Sequence, residues 1–263
     1  MDDNIGLVLQ KLDDMGQTNN TIVVFTTDNG AETMTYPDGG ITPFRGQKGE
    51  AWEGGYRSPM VVRWPGHIKP GQTTNQMFAA LDWVPTLVDF AGGPKGDALK
   101  KQIEAGSYPS ILKTTLDGFD QRDFLEGNTE RSARNVFFFY SGADLSAERY
   151  QNLKFYYKMS QPGGSGWFLP LVDYHFTMMT DLKRDPFEQN VTPWDSKSVA
   201  MTLGGLTPST AWAYYGFPTL PLGQKLALEH LETYRVFPPL QAPSSYNLNQ
   251  VEEEIRKGGP STD

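Results

Sequence analysis

The sequence predicts an α/β protein that carries a carboxyl-terminal α+β subdomain with a small antiparallel sheet. An amphipathic helix over residues 3–15 precedes a continuous apolar, β-branched run at 22–25. Such a run is typical of a strand buried on both faces of a parallel sheet. Beyond residue 134, strand patterns follow one another without intervening helices, which favours a separate antiparallel sheet.

The first helix has apolar residues at helical spacing and an expected end at Gly16. Those apolar residues are Ile5, Val8, Leu9 and Leu12. Residues 30–47 are rich in Gly and Pro and predict a long loop, and long ordered loops are often functional. Ser58–Trp64 is the next predicted strand, which the Pro65-Gly66 turn closes.

A helix is predicted over Asp82–Ala91, with Pro85 in the first turn, where its missing N–H costs little. Its predicted apolar face is Val84, Leu87, Val88 and Ala91. Three strands are predicted in the carboxyl-terminal half: Arg134–Tyr140, Leu153–Lys158 and His175–Thr180. Two helices, at residues 223–235 and 249–256, are predicted to close the chain.

These elements predict a division into three parts. Residues 1–93 form a core that carries the candidate site, residues 94–130 form a polar connecting excursion, and residues 131–263 form the α+β subdomain.

Composition excludes several classes of function. The chain has 263 residues, a net charge of −8 and a pI of about 5.0, so it lacks the basic footprint expected of a nucleic-acid binder. No run approaches the roughly 20 apolar residues that a membrane helix needs. The absence of cysteine removes disulfides, thiolate metal sites and cysteine nucleophiles. The amino terminus lacks a signal-peptide pattern, which by default predicts the cytoplasm.

The adjacent pair Asp28 and Asn29 directly follows the first strand. Carboxylate and amide oxygens suit Ca²⁺ or Mg²⁺, and ligands cluster at the carboxyl ends of strands in open α/β sheets. The alternative is structural, because Asn-Gly is a strong hairpin signal. That alternative requires a second strand directly after Gly30, and residues 31–40 are a poor strand.

Lys48 lies between glycines, where its ammonium group can approach an anion without steric obstruction. Its alternative role is that of a solvated loop lysine, and the same alternative applies to Arg45. Arg57 is predicted to form a structural ion pair with Glu50 or Glu53. No catalytic role is predicted for any residue, including the histidines at 67, 175 and 230.

The motifs resemble the type I sulfatase (arylsulfatase) family of the alkaline phosphatase-like superfamily. The resemblance is carried by Thr26-Thr-Asp-Asn-Gly30, Pro43-Phe-Arg-Gly-Gln-Lys-Gly49, Trp52–Gly66, Asp82-Trp-Val-Pro-Thr-Leu87 and Asp181-Leu-Lys-Arg-Asp-Pro-Phe-Glu188. It implies a partial sulfatase core and the hydrolysis of small sulfate esters. It further implies that Asp28 and Asn29 ligate Ca²⁺, in a weak or incomplete site that also suits Mg²⁺, and that Lys48 contacts the sulfate.

The family's nucleophile motif is missing from the sequence, as are its early aspartate pair, its first lysine and its catalytic histidines. The family nucleophile is a formylglycine made within a Cys/Ser-x-Pro-x-Arg motif, and Ser58-Pro59 and Ser107-Tyr-Pro-Ser110 do not complete it. We therefore expect a carboxyl-terminal portion of a sulfatase without normal turnover, whose exposed sheet edge a homo-oligomer would cover. The alternatives are a non-catalytic oligomerising module and a related phosphate, phosphonate or carboxyl ester hydrolase.

Overall fold

A computed structural model gives the fold and describes residues 1–33, 35, 39–109, 114–160, 169–189 and 217–238. The elements before the carboxyl-terminal sheet are α1 (Asp2–Asp14), β1 (Val23–Thr26), α2 (Glu53–Tyr56), β2 (Met60–Arg63), α3 (Trp83–Phe90), α4 (Gly96–Glu104) and α5 (Arg122–Leu125). The later elements are β3 (Val136–Ser141), β4 (Asp144–Tyr150), β5 (Leu153–Met159), β6 (Val172–Asp181) and α6 (Leu220–Val236). The structure confirms the mixed α/β class and the small antiparallel sheet.

The helix predicted over residues 3–15 is confirmed as α1. It carries Asp2 and Asp3 in its first turn and Lys11 in its last, which complements the helix dipole. Gly16 follows with φ +66°, the left-handed conformation that glycine adopts at helix ends.

Strands β1 and β2 form a two-stranded sheet, and two expectations about them are wrong. They pair antiparallel, with Val23 opposite Arg63 and Thr26 opposite Met60, whereas the strand at residues 22–25 was expected to belong to a parallel sheet. The expected burial of residues 22–25 on both faces is also wrong, because Val24 is 38% and Phe25 is 43% exposed, and Val61 of β2 is 63% exposed as well. The described part of the chain places no element over these side chains.

Helix α3 confirms the predicted helix but buries a different face from the predicted one. Val84 and Leu87 are exposed, whereas Thr86 and Asp89 are buried. Thr86 is turned inward by its hydrogen bonds. Its hydroxyl donates to the Asp82 carbonyl and accepts from the Gln121 amide. The hydrogen bond from Gln121, 35 positions away, therefore favours turning the Thr86 face inward.

The polar stretch 94–130 contains regular structure that the sequence did not predict. Helix α4 buries Leu99, and the carboxylate of Asp120 accepts from the amide of Gly96 at 3.3 Å. Helix α5 is fixed by Arg122, which bonds Asp89 at 3.3 Å and Glu126 at 3.2 Å.

The carboxyl-terminal sheet has strand order β3-β4-β5-β6 and is antiparallel throughout. The three predicted strands are confirmed as β3, β5 and β6. Strand β4 was missed because its sequence, Asp-Leu-Ser-Ala-Glu-Arg-Tyr, is polar, although Ala147 and Glu148 are fully buried.

The two faces of this sheet pack against different partners. On one face Phe139, Tyr156 and Met178 enclose Ala51 and Trp52 of the loop before α2. On the other face Phe155 and Met179 pack with Leu220 of α6, the helix predicted at residues 223–235. The helix predicted at residues 249–256 lies outside the described residues.

Candidate active site

The side chains at the end of β1 face a cavity of about 300 Å³, which we call the Asp28 pocket. Asp28 is exposed and Asn29 is half-buried. The hairpin alternative is excluded because β1 pairs with β2 and not with a strand directly after Gly30. The pocket is lined by Asp28, Asn29, Gly49, Gly55, Tyr56, Tyr140, Ser141 and Gly142.

Lys48 reaches the same region through the backbone. Its amide donates to the Ala31 carbonyl at 3.0 Å, and the next residue, Gly49, lines the pocket. Its Nζ lies 3.5 Å from Oε2 of Glu32, and its side chain is 35% exposed. The structure thus places the Lys48 backbone next to the segment that follows Asp28 and Asn29, and it gives the Lys48 ammonium group a carboxylate partner in Glu32.

Glycines allow the end of β1 and helix α2 to approach each other closely. The Gly30 amide donates to the Gly55 carbonyl at 2.9 Å, and a Cβ on Gly30 would overlap the Gly54 carbonyl oxygen. A Cβ on Gly54 would in turn overlap the Arg45 carbonyl oxygen. Side chains at these positions would therefore force the two segments apart.

The far wall of the pocket comes from the end of β3, and sequence reasoning missed it. Tyr56 of α2 donates from its hydroxyl to the Tyr140 carbonyl and accepts from the Tyr140 amide at 3.2 Å. The Tyr140 hydroxyl lies 2.8 Å from His230 Nε2 and accepts from the Tyr234 hydroxyl at 2.8 Å. Burial lowers the pKa of His230, whose ring stacks on Phe138 at 3.7 Å.

A buried ionic cluster lies between α2 and the carboxyl-terminal sheet. Lys154 Nζ, fully buried, lies 3.1 Å from Oε1 of Glu53 and 2.9 Å from Oε1 of Glu188. Arg149 reaches Oε2 of Glu53 at 3.3 Å. Burial raises the pKa of Glu188 despite the adjacent Lys154 ammonium. For Glu53 burial acts in the same direction, but Lys154 and Arg149 outweigh it and hold the pKa below its ordinary value.

Two basic residues near the pocket have structural partners. Arg57 Nη1 lies 3.9 Å from Oε2 of Glu53, which confirms one of its two predicted ion pairs. The guanidinium of Arg45 stacks over the Trp52 ring at 3.8 Å and donates to the Glu188 carbonyl at 3.0 Å, so Arg45 is not a solvated loop residue.

Comparison with known proteins shows that the chain is similar to sulfatases. Residues 1–93 match the family model described as Sulfatase. Arylsulfatase A of Homo sapiens is 39% identical over 141 residues, which are 53% of this chain and 24% of that protein. Steryl-sulfatase of Mus musculus is 32% identical over 218 residues, which are 73% of this chain and 32% of that protein.

The chain belongs to the type I sulfatase family. A solved sulfatase, PsFucS1 from Pseudoalteromonas sp., superposes with a TM-score of 0.73 at 27% identity, over 91% of this chain and 42% of that one. This likeness confirms the alkaline phosphatase-like fold. The chain spans about a quarter to a third of the length of the two curated sulfatases.

Sulfatases generally bind a divalent metal ion, and the pocket offers part of such a site. Asp28 supplies two carboxylate oxygens and Asn29 one amide oxygen, whereas Ca²⁺ takes about six to eight oxygen ligands. Among the described residues, no three or more His, Cys, Asp or Glu side chains are grouped so that they could hold a metal ion. The donor atoms of Asp28 and Asn29 are of the type that hard cations prefer, and they number about half or fewer of the ligands that Ca²⁺ takes. None of the helices in the described ranges is long and apolar enough to cross a membrane.

Proposed function

We propose that this chain takes part in sulfate-ester hydrolysis and forms one wall of the active site. The observation that supports this most is that Asp28 and Asn29 line one cavity with Gly49, the residue after Lys48. Oxygen ligands for a cation thus line the cavity, and the residue that would supply an ammonium group for an anion directly precedes one of the lining residues. A small substrate with an anionic ester group has the charge and size that such a cavity accommodates.

In this proposal Asp28 and Asn29 hold a Ca²⁺ ion, with Mg²⁺ as the alternative. When bound, the ion neutralises negative charge on the sulfate oxygens. Because the two residues supply only part of a Ca²⁺ shell, water would complete it and affinity would be weak, with a Kd of roughly 10⁻⁴ M or above.

Lys48 contributes a point charge to the sulfate. Glu32 lies 3.5 Å from its Nζ, and in this proposal that contact orients the ammonium group toward the sulfate. The pair is partly exposed, so solvent screens it and its strength is modest. A sulfate oxygen therefore competes with Glu32 for a group that is already positioned.

The proposal includes a limit on turnover. The 263 residues contain no cysteine, and the Ser-Tyr-Pro-Ser segment at residues 107–110 continues with isoleucine instead of the arginine of the nucleophile motif. We expect these residues by themselves to lack formylglycine-dependent turnover.

A chromogenic assay tests that limit. The chain is incubated with 4-nitrophenyl sulfate and Ca²⁺ beside an intact arylsulfatase, and 4-nitrophenyl phosphate is assayed in parallel. We expect no sulfate-ester turnover above background. Turnover at the level of the intact enzyme that Lys48→Ala abolishes would contradict the limit, and turnover of the phosphate ester alone would favour the related phosphatase activity.

Calorimetry tests the roles of the three site residues. We expect Asp28→Ala and Asn29→Ala each to weaken Ca²⁺ binding at least tenfold, whereas Asp97→Asn, at an exposed position of α4, leaves it unchanged. Lys48→Ala is expected to weaken binding of inorganic sulfate, with Lys95→Ala as its control at an exposed position. Equal Ca²⁺ affinity of the Asp28→Ala and Asp97→Asn variants would overturn the assignment.

A second candidate, a non-catalytic oligomerising module, is favoured by one observation. Phe25 and Val61 of the β1–β2 sheet are 43% and 63% exposed, and exposed apolar strands are a template for association. In this candidate a second copy of the chain covers the sheet.

A further inference from the structure

The segment Asp181–Glu188 carries part of the resemblance to sulfatases but has no role in the pocket as assigned so far. It forms tight turns directly after β6. Asp181 accepts the amides of Arg184 and Asp185 through its carbonyl at 2.9 and 2.8 Å, and the amide of Lys183 through its carboxylate at 2.9 Å. These turns bring Glu188 back against the face of the sheet that packs on α2.

The carboxylate of Glu188 is fully buried and has three donors. Its Oε2 accepts from the Glu53 amide at 2.7 Å, and its Oε1 accepts from the Tyr156 hydroxyl at 2.8 Å and lies 2.9 Å from Lys154 Nζ. Its backbone carbonyl accepts from Arg45 at 3.0 Å. One residue therefore joins β5, the loop at Arg45 and the start of α2.

Two features of Glu188 are costly and therefore informative. Burying an ion pair removes the water that solvates both charges. The attraction between the charges offsets that loss only when their remaining hydrogen-bonding groups are also satisfied. Glu188 also has φ +53°, the left-handed conformation that non-glycine residues seldom adopt. Strained, buried polar residues of this kind cluster at functional sites.

The contacts lead from Glu188 to the Asp28 pocket in short steps. Glu53, whose amide Glu188 accepts, is the first residue of α2. Gly55, two residues later, lines the pocket and accepts the Gly30 amide at 2.9 Å. Gly30 directly follows Asn29, so the position of α2 fixes the end of β1.

We propose that Glu188 is a positioning residue for the Asp28 pocket, holding α2 so that Gly55 can bind Gly30 and present Asp28 and Asn29 together. Its effect on metal affinity rests on the proposed function, whereas its effect on the Gly30–Gly55 contact does not. Groups that hydrogen-bond metal ligands directly typically change metal affinity by about 10–100-fold, and we expect the lower end of that range for Glu188 because it acts through α2 and Gly30.

Glu188→Gln tests the proposal because it keeps the side chain's shape and removes its charge. Glu148→Gln is the matched control: Glu148 is equally buried, but it lies on the face of the sheet toward α6, near Gly223. The readouts are amide hydrogen exchange at Gly30, Ca²⁺ affinity by calorimetry, and thermal unfolding to report overall folding.

We expect Glu188→Gln to remain folded, to exchange the Gly30 amide at least tenfold faster, and to bind Ca²⁺ about tenfold more weakly. Glu148→Gln should leave Ca²⁺ affinity unchanged and should not speed exchange at Gly30. Unchanged exchange at Gly30 in folded Glu188→Gln would overturn the proposal. If the wild-type chain binds no Ca²⁺, the proposed function fails, and the exchange measurement still decides the role of Glu188.

A milder variant keeps the test decisive if Glu188→Gln does not fold. Tyr156→Phe removes only the hydroxyl that donates to Glu188 Oε1. Faster exchange at Gly30, by about threefold, with exchange in β3 and β4 unchanged, would support the proposal. Unchanged exchange at Gly30 would count against it.

Discussion

The amide of Gly30 donates a 2.9 Å hydrogen bond to the carbonyl of Gly55. This bond ties the residue after the Asp28–Asn29 pair to the helix that follows Lys48, and both ends of it are buried. The two halves of the candidate site are thus joined by backbone atoms that approach each other closely because Gly30 carries no Cβ, which would overlap the Gly54 carbonyl oxygen.

Gly30→Ala should separate these segments. The added Cβ would overlap the Gly54 carbonyl oxygen, so the backbone must shift. We expect a loss of about 1–3 kcal/mol of unfolding free energy, as for other overpacked sites, together with weaker Ca²⁺ binding. Urea unfolding and calorimetry measure the two effects. Gly40→Ala is the control, since a Cβ there meets nothing within 4 Å, and equal effects of the two substitutions would contradict the prediction.

The ion pair between Asp82 and Arg134 crosses between the predicted core and the predicted carboxyl-terminal subdomain. Arg134 Nη2 lies 2.7 Å from Asp82 Oδ1, and Asp82 is fully buried. Arg134→Met should leave that carboxylate without its cation and cost about 3–5 kcal/mol of unfolding free energy. Arg131→Met, at an exposed position, should change stability by less than about 0.5 kcal/mol. A loss below about 1 kcal/mol for Arg134→Met would show that the pair is dispensable.

Local patterns predicted the elements well but not the contacts between them. Helix α1 has clear apolar periodicity, strands β3 and β5 are rich in aromatic residues, and Asp28–Asn29 follows a recognisable strand. The buried face of α3 could not be predicted, because it depends on Thr86 bonding Gln121. Lys154 could not be predicted to be buried either, since charged residues are normally exposed and its partners come from distant segments.

The exposed apolar side chains of β1 and β2 lead to a prediction about association. If a second copy covers this sheet, the chain should form dimers that dissociate on dilution, and Phe25→Asp should shift them to monomer because it places a charge in the interface. Light scattering over a concentration series measures this. Leu228→Asp, at a 60% exposed position of α6, is the control. A monomer at every concentration would contradict association through β1 and β2.

Glu148 should make stability fall as the pH rises. Its carboxylate is fully buried and both oxygens lack a hydrogen-bond partner within the described structure, so burial raises its pKa to about 8, above its ordinary value of 4.5. A carboxyl group with a raised pKa stabilises the folded state fully below pH 4.5, and this stabilisation is lost as the pH rises through 8.

Glu148→Gln removes the titrating group, so the variant should gain stability relative to the wild type between pH 5 and pH 8.5, by up to about 4 kcal/mol. Urea unfolding at several pH values gives the unfolding free energy of the variant and of the wild type. Their difference at each pH cancels the contribution of all groups that titrate alike in both proteins. Glu229→Gln, on the exposed side of α6, should give a difference that does not vary with pH. A pH-independent difference for Glu148→Gln would mean that Glu148 ionises normally beneath α6, and that water or a rearranged Tyr157 hydroxyl satisfies it.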